Sequence, residues 1–111
     1  MELINLTPHA INIVQFDGGV VLLPASGQVA RVATSRASGQ TLIWGDSVSI
    51  QTSRVEFGEV DGLPDPVDNT VYIVSGMVAS RVNRSDVFAP GELVRDAAGA
   101  VIGCKGLTCS G

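Results

Sequence analysis

Glycine and proline recur along this chain and divide it into short segments. Of its 111 residues, 13 are glycine and 5 are proline, and valine dominates the apolar positions between them. Valine-rich runs bounded by turn residues favour β-strands. Short loops join neighbouring strands most easily when the strands are antiparallel. The sequence therefore predicts a mainly β fold, a compact antiparallel barrel or sandwich of short strands with one short helix.

The predicted strands follow this punctuation. They are Glu2–Leu6, Ile11–Phe16, Val20–Leu23, Gln28–Thr34, Thr41–Trp44, Ser47–Gln51, Arg54–Phe57, Thr70–Val74, Leu93–Asp96 and Val101–Lys105. The spacing of Val74, Val78 and Val82 predicts a helix over Ser75–Arg84, with Ser75 as its cap.

The remaining segments are predicted to be irregular. We expect loops at Ser35–Gln40, Asp61–Asn69 and Asp86–Pro90, and a loose tail at Gly106–Gly111. The alternation of Arg54–Phe57 loses its phase at Gly58, which predicts a β-bulge there.

The overall numbers indicate one folded domain over residues 1–111. A hydrophobic content of 45% with 16% charged residues excludes intrinsic disorder. No unbroken apolar run is longer than that of Val20–Leu23, so we expect no membrane segment. A net charge of −4 argues against general nucleic-acid binding. The first residues lack a signal peptide's basic region, so we expect a cytoplasmic protein with Cys104 and Cys109 as free thiols.

Two arginines supply the main candidate binding site. Arg81 and Arg84 share a face of the predicted helix, close to free N–H groups at its start by Ser75. One hypothesis is that they bind a phosphate or carboxylate of a ligand, with Tyr72 stacking on it. The alternative is that Asp86 neutralises the pair and Tyr72 fills the core.

The N-terminal Asn5, Thr7 and His9 form a second candidate group. His9 is the only histidine and could act as a general base or contact a ligand. The alternative is that Thr7-Pro8-His9 is a turn in which Asn5 and Thr7 bind backbone groups. No metal-ligand spacing, phosphate loop or nucleophile motif is present, so we expect no cofactor and do not favour an enzyme.

The chain resembles small uncharacterised proteins of tailed phages and prophages that begin with an Asn-Leu-Thr-Pro-His motif. The resemblance covers residues 3–105 and is carried by Asn5–His9, Glu56–Val60, Gly62–Pro64, Val71–Ser75, Val78-Ala79, Asp86-Val87, Pro90-Gly91, Val94–Asp96, Gly99 and Val101–Cys104. It implies a phage-encoded accessory protein, acting in the host cytoplasm, and does not imply a particular activity.

These observations leave four hypotheses for the function. The first is a non-catalytic protein that sequesters a small anionic nucleotide-type ligand, such as a host defence signal, at Arg81, Arg84, Ser75, Tyr72, His9, Asn5 and Thr7. The second is an inhibitor that binds a host defence protein directly. The third is a small virion or assembly component, and the fourth is an enzyme acting on a nucleotide. We expect a homo-oligomer under all four, because a domain of this size buries a limited share of its surface.

Overall fold

A computed structural model describes all residues from 1 to 111. It contains ten strands and one helix in chain order: β1 (Glu2–Asn5), β2 (Ile11–Val14), β3 (Val20–Leu23), β4 (Arg31–Ser38), β5 (Leu42–Trp44), β6 (Val48–Ile50), β7 (Ser53–Asp61), β8 (Thr70–Ile73), α1 (Gly76–Ala79), β9 (Val87–Arg95) and β10 (Val101–Cys109). The prediction of a mainly β fold with one short helix is confirmed. No helix of the structure is long and apolar enough to cross a membrane.

Six strands form the main sheet, in the order β1-β8-β9-β10-β2-β3. The pairs β9–β10 and β2–β3 are antiparallel, whereas β1–β8, β8–β9 and β10–β2 are parallel. The expectation of purely antiparallel pairing is therefore wrong. Loop length constrains only strands that follow one another in the chain, and β1 and β8 are far apart in sequence. The segment between β8 and β9, which includes α1, is long enough for a parallel crossover.

The main sheet curls until its two edge strands approach one another at one end. There the side-chain amide of Asn5, at the end of β1, donates to the carbonyl oxygen of Leu23, at the end of β3 (3.2 Å). The backbone N–H of Ser26 also donates to the Asn5 carbonyl oxygen at 3.1 Å. The sheet is thus a nearly closed, barrel-like structure, and hydrogen bonds of the Asn5 side chain and backbone bridge its last gap.

The hydrophobic core lies between this sheet, α1 and the segment that follows β3. Its cluster of buried residues consists of Leu6, Ala30, Tyr72, Val74, Val78 and Val87. The core is small, because only 12 of the 111 residues are buried.

Strands β4 to β7 form a long β-hairpin, called the arm below, over residues 31–61. β4 pairs with β7 and β5 pairs with β6, so the two ladders follow one another from the root to the Gly45-Asp46 turn. The molecule measures 60 × 40 × 24 Å with a radius of gyration of 18.3 Å, whereas a compact chain of this length has about 13 Å. The arm makes the protein much less compact than we predicted.

Two features hold the arm at its root and set its twist. Two residues of β7, Gly58 and Glu59, face one residue of β4, Ala33, so the predicted bulge at Gly58 is confirmed. At the root, Gly62 has a φ of +81°, and a Cβ there would lie 2.6 Å from the backbone oxygen of Val29. Only glycine fits this position without displacing the backbone.

Several predicted boundaries were wrong. Ser35–Gln40 was expected as a loop, but β4 continues to Ser38 because it pairs with β7. Strand β9 includes most of Asp86–Pro90, and the tail expected to be loose continues β10 to Cys109, which pairs with Phe88. The predicted helix over Ser75–Arg84 is reduced to the four residues of α1, in keeping with the poor helix propensity of glycine and valine.

Candidate functional site

Asn5, Thr7 and His9 do form a turn, and the Asn5 side chain is its centre. The Asn5 Oδ1 accepts hydrogen bonds from the Thr7 backbone N–H (2.9 Å) and the Thr7 hydroxyl (2.6 Å). The Asn5 Nδ2 donates to the carbonyl oxygens of His9 (2.9 Å) and Leu23 (3.2 Å). Asn5 and Thr7 are buried, whereas His9 is exposed.

This network uses the full hydrogen-bonding capacity of the Asn5 amide, which has two donors and one oxygen. The Thr7 hydroxyl also lies 2.9 Å from the His9 carbonyl oxygen. His9 therefore enters the network through its backbone. These contacts match the alternative in which Thr7-Pro8-His9 is a turn and Asn5 and Thr7 bind backbone groups. The Asn5 amide and the Thr7 hydroxyl are therefore already hydrogen-bonded within the chain.

Arg84 has an internal counterion. Its Nε and Nη2 donate to the two carboxylate oxygens of Asp86 at 2.9 and 2.6 Å, and its Nη1 donates to the Pro64 carbonyl oxygen at 3.0 Å. The paired side chains of Arg84 and Asp86 are only 24% and 19% exposed. A bidentate, partly buried pair of this kind is the strong form of a salt bridge. The bond to Pro64 joins the loop before β8 to the segment before β9.

The same contact changes the pKa of both partners. The hydrogen bonds from Arg84 hold the pKa of Asp86 below its ordinary value of 3.8, against an opposing effect of burial. The hydrogen bonds to Asp86 raise the pKa of Arg84 in turn. Both groups are therefore charged at neutral pH, and each compensates the other.

Arg81 has a different environment from Arg84. Its guanidinium carbon lies 3.7 Å from the centroid of the Phe57 ring, which belongs to β7 of the arm. This is a cation–π contact between the residues after α1 and the arm. Asp86 therefore neutralises Arg84, whereas Arg81 lies over the Phe57 ring. The prediction that the two arginines share a helical face is wrong, because α1 ends at Ala79, before both of them.

Ser75 and Tyr72 also bind within the chain. The Ser75 hydroxyl accepts from the Val78 backbone N–H at 3.3 Å and caps α1, as predicted. The Tyr72 ring is buried in the core, and its hydroxyl donates to the Asp65 carbonyl oxygen at 3.3 Å. The seven residues of the predicted ligand site thus have structural contacts. The prediction that they bind a ligand is not tested by these contacts.

No group of three or more His, Cys, Asp or Glu side chains is placed to hold a metal ion. Cys104 is buried, Cys109 is exposed, and both are free thiols. Comparison with known proteins gave no match among family models, curated proteins or solved structures.

The surface of the molecule is rich in large exposed apolar side chains. On the arm, the cross-strand pairs Leu42–Ile50 and Trp44–Val48 bring four of them together. We call these four residues the tip patch. In the sequence these residues belong to two short apolar segments on either side of Gly45-Asp46.

A second apolar surface lies on the main sheet, where β2, β9 and β10 meet. It is a shallow depression of about 230 Å³. We call it the sheet depression; its apolar lining includes Ile11, Pro90, Leu93, Val101 and Ile102. Leu93, Val101 and Ile102 are about half exposed. The sequence assigned Ile11, Leu93, Val101 and Ile102 to strands and Pro90 to a loop, but it could not show that they line one depression.

Proposed function

We propose that this protein is a non-catalytic assembly component, which acts by packing its arm and its apolar surfaces against other protein subunits. The observation that carries the proposal is the arm itself. None of its 31 residues, from Arg31 to Asp61, is buried. An isolated two-stranded hairpin is marginally stable in water, so we expect contact with a partner to stabilise an arm of this length.

The area of the molecular surface supports this proposal. The chain exposes 7629 Å², whereas a compact monomer of 11.5 kDa exposes about 5,800 Å² by the scaling of surface with mass. The excess is about 1,800 Å², which is more than the surface of about 800 Å² that one partner contributes to a standard protein–protein interface. Exposed apolar patches on such a surface are typical of interaction sites.

The hypothesis of anionic-ligand capture has less support. Its basis was a guanidinium pair without an internal counterion, and Arg84 is bound to Asp86 while Arg81 lies over Phe57. Capture of a nucleotide-type signal therefore stays a prediction without a site that favours it. The same surfaces that favour assembly also fit a host protein as the partner, which was the second hypothesis.

The resemblance to tailed-phage proteins agrees with a role in assembly. Under this proposal the chain is a small component of a particle or of its assembly machinery, made in the host cytoplasm and active as a homo-oligomer. Its acidic character then acts to keep free copies soluble before they assemble, since like charges repel over the Debye length.

Sedimentation velocity and native mass spectrometry of the full chain, over a range of concentrations, test the proposal. We expect a discrete oligomer that dissociates on dilution. A chain that stays monomeric at all concentrations contradicts assembly through self-association. A monomer that forms a stoichiometric complex with one host protein supports the inhibitor hypothesis instead.

A further inference from the structure

The two long strands of the arm each have one edge without a hydrogen-bond partner. β4 and β7 form a two-stranded sheet of their own, so the outer side of each strand is open over its 8 and 9 residues, respectively. The edge strands of the main sheet, β1 and β3, have only 4 residues each. An unpaired edge is a template for pairing with another strand.

One hydrogen bond fixes which backbone groups of β7 point outward. The Gly39 N–H donates to the Thr52 carbonyl oxygen, and along an antiparallel ladder such hydrogen-bonded pairs alternate with pairs that are not hydrogen-bonded. Counting from that pair along the register, the N–H and C=O groups of Ser53, Val55 and Phe57 point away from β4. None of the backbone hydrogen bonds outside the ladders involves them.

The segment from Ser53 to Phe57 is complementary to itself when two copies run antiparallel. With Val55 opposite the same residue of the second copy, the outward backbone groups of the two edges meet. Arg54 then lies opposite Glu56 of the second copy, and Glu56 opposite Arg54 of the second copy. Cross-strand pairs share a face, so the contact contains two neighbouring pairs of opposite charge. In the single chain these two side chains form only an exposed pair at 3.9 Å.

We infer that β7 of one copy pairs antiparallel with β7 of a second copy about Val55, which joins the two arms into a four-stranded sheet in the order β4-β7-β7-β4. The inference rests on the proposed function and names its partner and its contact surface. The contact is isologous, with one two-fold axis, and the two main sheets lie at opposite ends of the new sheet. The pairing ends before the bulge at Gly58, which interrupts the edge.

The joined arms form a more stable unit than two separate hairpins. Three or more strands with a hydrophobic face are needed for independent stability, and one arm has two. Val55 and Phe57 lie on one face of β7, because side chains alternate along a strand. They are 47% and 38% exposed in the single chain, and the two-fold axis brings both copies of Val55 together on that face.

Charge identifies the occupant of this edge as a second copy of β7. β4 contains Arg31 and Arg36 and no acidic residue, so two β4 edges would bring only like charges together. Among the other strands with an open edge, β3 contains no charged residue and β1 contains only Glu2. Only β7 contains both signs of charge, in an order that matches its own sequence read in the opposite direction.

Charge reversal tests the contact, with the dissociation constant of self-association measured by sedimentation velocity. Arg54→Glu and Glu56→Arg each place like charges opposite one another twice, and we expect a rise of about tenfold or more in either variant. The double variant Arg54→Glu/Glu56→Arg restores opposite charges, so we expect it to associate like the wild type. Asp46→Arg is the control, because it makes the same change of charge as Glu56→Arg but at the turn of the arm.

Mixing the two single variants is the sharpest charge test. The Arg54→Glu chain has two acidic positions in the contact, and the Glu56→Arg chain has two basic ones. Each repels its own copies and attracts the other chain. We expect their equimolar mixture to form a 1:1 heterodimer in native mass spectrometry, at concentrations where either chain alone is monomeric.

Proline tests the backbone pairing. Val55→Pro removes the N–H at the centre of the contact, but the arm itself loses no hydrogen bond, because that N–H points away from β4. We expect the dissociation constant to rise about a hundredfold or more. Val55→Thr keeps the N–H, and Thr34→Pro makes the same backbone change on the outer edge of β4, since Thr34 is the cross-strand partner of Phe57. We expect both controls to associate like the wild type.

Other outcomes overturn the inference and identify the error. Circular dichroism verifies that each variant has kept its β structure. A wild-type chain that is monomeric at all concentrations overturns the proposed function together with the inference. An oligomeric wild type overturns the inference alone if Val55→Pro still associates, if the double charge variant is not restored, or if the mixture gives no heterodimer. Loss of association in Thr34→Pro but not in Val55→Pro assigns the contact to the β4 edge and also overturns the inference.

Discussion

The main sheet and the arm are both built from β-strands, but different forces hold them. All buried residues of the chain lie outside the arm, and they include Leu6, Tyr72, Val74, Val78 and Val87 of the core cluster. The arm has its cross-strand ladders, the contact of Phe57 with Arg81, and at its root the partly buried Val32 and Val60, which pack against the core cluster. Burial of apolar surface is the dominant stabilising term in folding, so the main sheet carries the stability and the arm is free to serve an interface.

The main sheet and the arm also differ in the hydrogen bonds that their polar side chains make. Around the main sheet, side chains such as Asn5 and Arg84 make several short hydrogen bonds each and join segments far apart in sequence. On the arm, the side-chain bonds join neighbours across the hairpin, such as Arg36 to Ser53 at 3.0 Å. Long-range polar bonds define one tertiary arrangement, whereas local ones keep a hairpin in register.

Removal of the Asn5 side chain has the largest expected effect on the main sheet. Asn5→Ala leaves the buried Thr7 N–H without an acceptor and opens the bridge to Leu23. We expect it to lower the free energy of unfolding by about 2–4 kcal/mol, as for other losses of a buried polar network. Urea unfolding followed by circular dichroism measures this.

His9→Ala is the control for this prediction. His9 binds Asn5 and Thr7 through its carbonyl oxygen, and its exposed ring makes none of these bonds. We expect a change within about 0.5 kcal/mol. Equal losses in the two variants would show that the turn, and not the Asn5 amide, provides the stability.

The Arg84–Asp86 pair has the next largest expected effect, and it depends on pH. Asp86→Asn removes the charge on the acceptor of two short bonds, at a cost of about 1–3 kcal/mol at pH 7. Because folding lowers the pKa of Asp86 below 3.8, its contribution is complete above that pH. It is lost as the pH falls through the lower folded-state pKa.

The difference in stability between wild type and Asp86→Asn should therefore be constant from pH 7 to 5 and shrink below about pH 4. Thermal unfolding at a series of pH values measures it. Asp68→Asn is the control, since only the backbone carbonyl of Asp68 accepts a hydrogen bond. A difference that persists unchanged at pH 2 would show that the Asp86 carboxylate is not the stabilising group.

The contact between Arg81 and Phe57 has a smaller expected effect, because Arg81 is exposed. We expect Arg81→Ala to cost about 0.5–1 kcal/mol, the value typical of exposed cation–π pairs. Hydrogen exchange should become faster at the arm root around Phe57 and stay unchanged in β8. Arg36→Ala, farther out on the arm, should leave the exchange around Phe57 unchanged.

The sequence predicted local features of both regions better than their arrangement. Alternation and turn residues located β3, the hairpin segments and the bulge at Gly58, because these depend on neighbours in the chain. The order of the main sheet could not be predicted in this way. β1 pairs with β8 although the arm and the loop before β8 separate the two strands in the chain. Apolar packing in the whole fold brings them together, and the sequence of neither strand predicts the pairing.

The prediction of the ligand site at Arg81 and Arg84 was limited in the same way, because it used only their spacing in the sequence. Arg81 and Arg84 are close in sequence, and the prediction of a shared helical face followed from that spacing. The helix ends at Ala79, so its early termination decides where both guanidinium groups point. Conversely, the lining of the sheet depression comes from three strands, and its residues are brought together only by the fold.

The smallest expected effect on stability comes from deletion of the outer part of the arm. Gly39 and Thr52 form a hydrogen-bonded pair across the arm, with the Gly39 N–H donating to the Thr52 carbonyl oxygen at 2.9 Å. An Asn-Gly turn can join this pair in place of Gln40–Gln51, since two-residue turns of this type match the twist of a hairpin. The deleted residues include no buried side chain, so the free energy of unfolding of the monomer should change by less than about 0.5 kcal/mol. Chemical unfolding of dilute wild-type and shortened chains tests this. A loss of several kcal/mol would show that the outer arm stabilises the main sheet, and the separation of stability from assembly between the two regions would then be wrong.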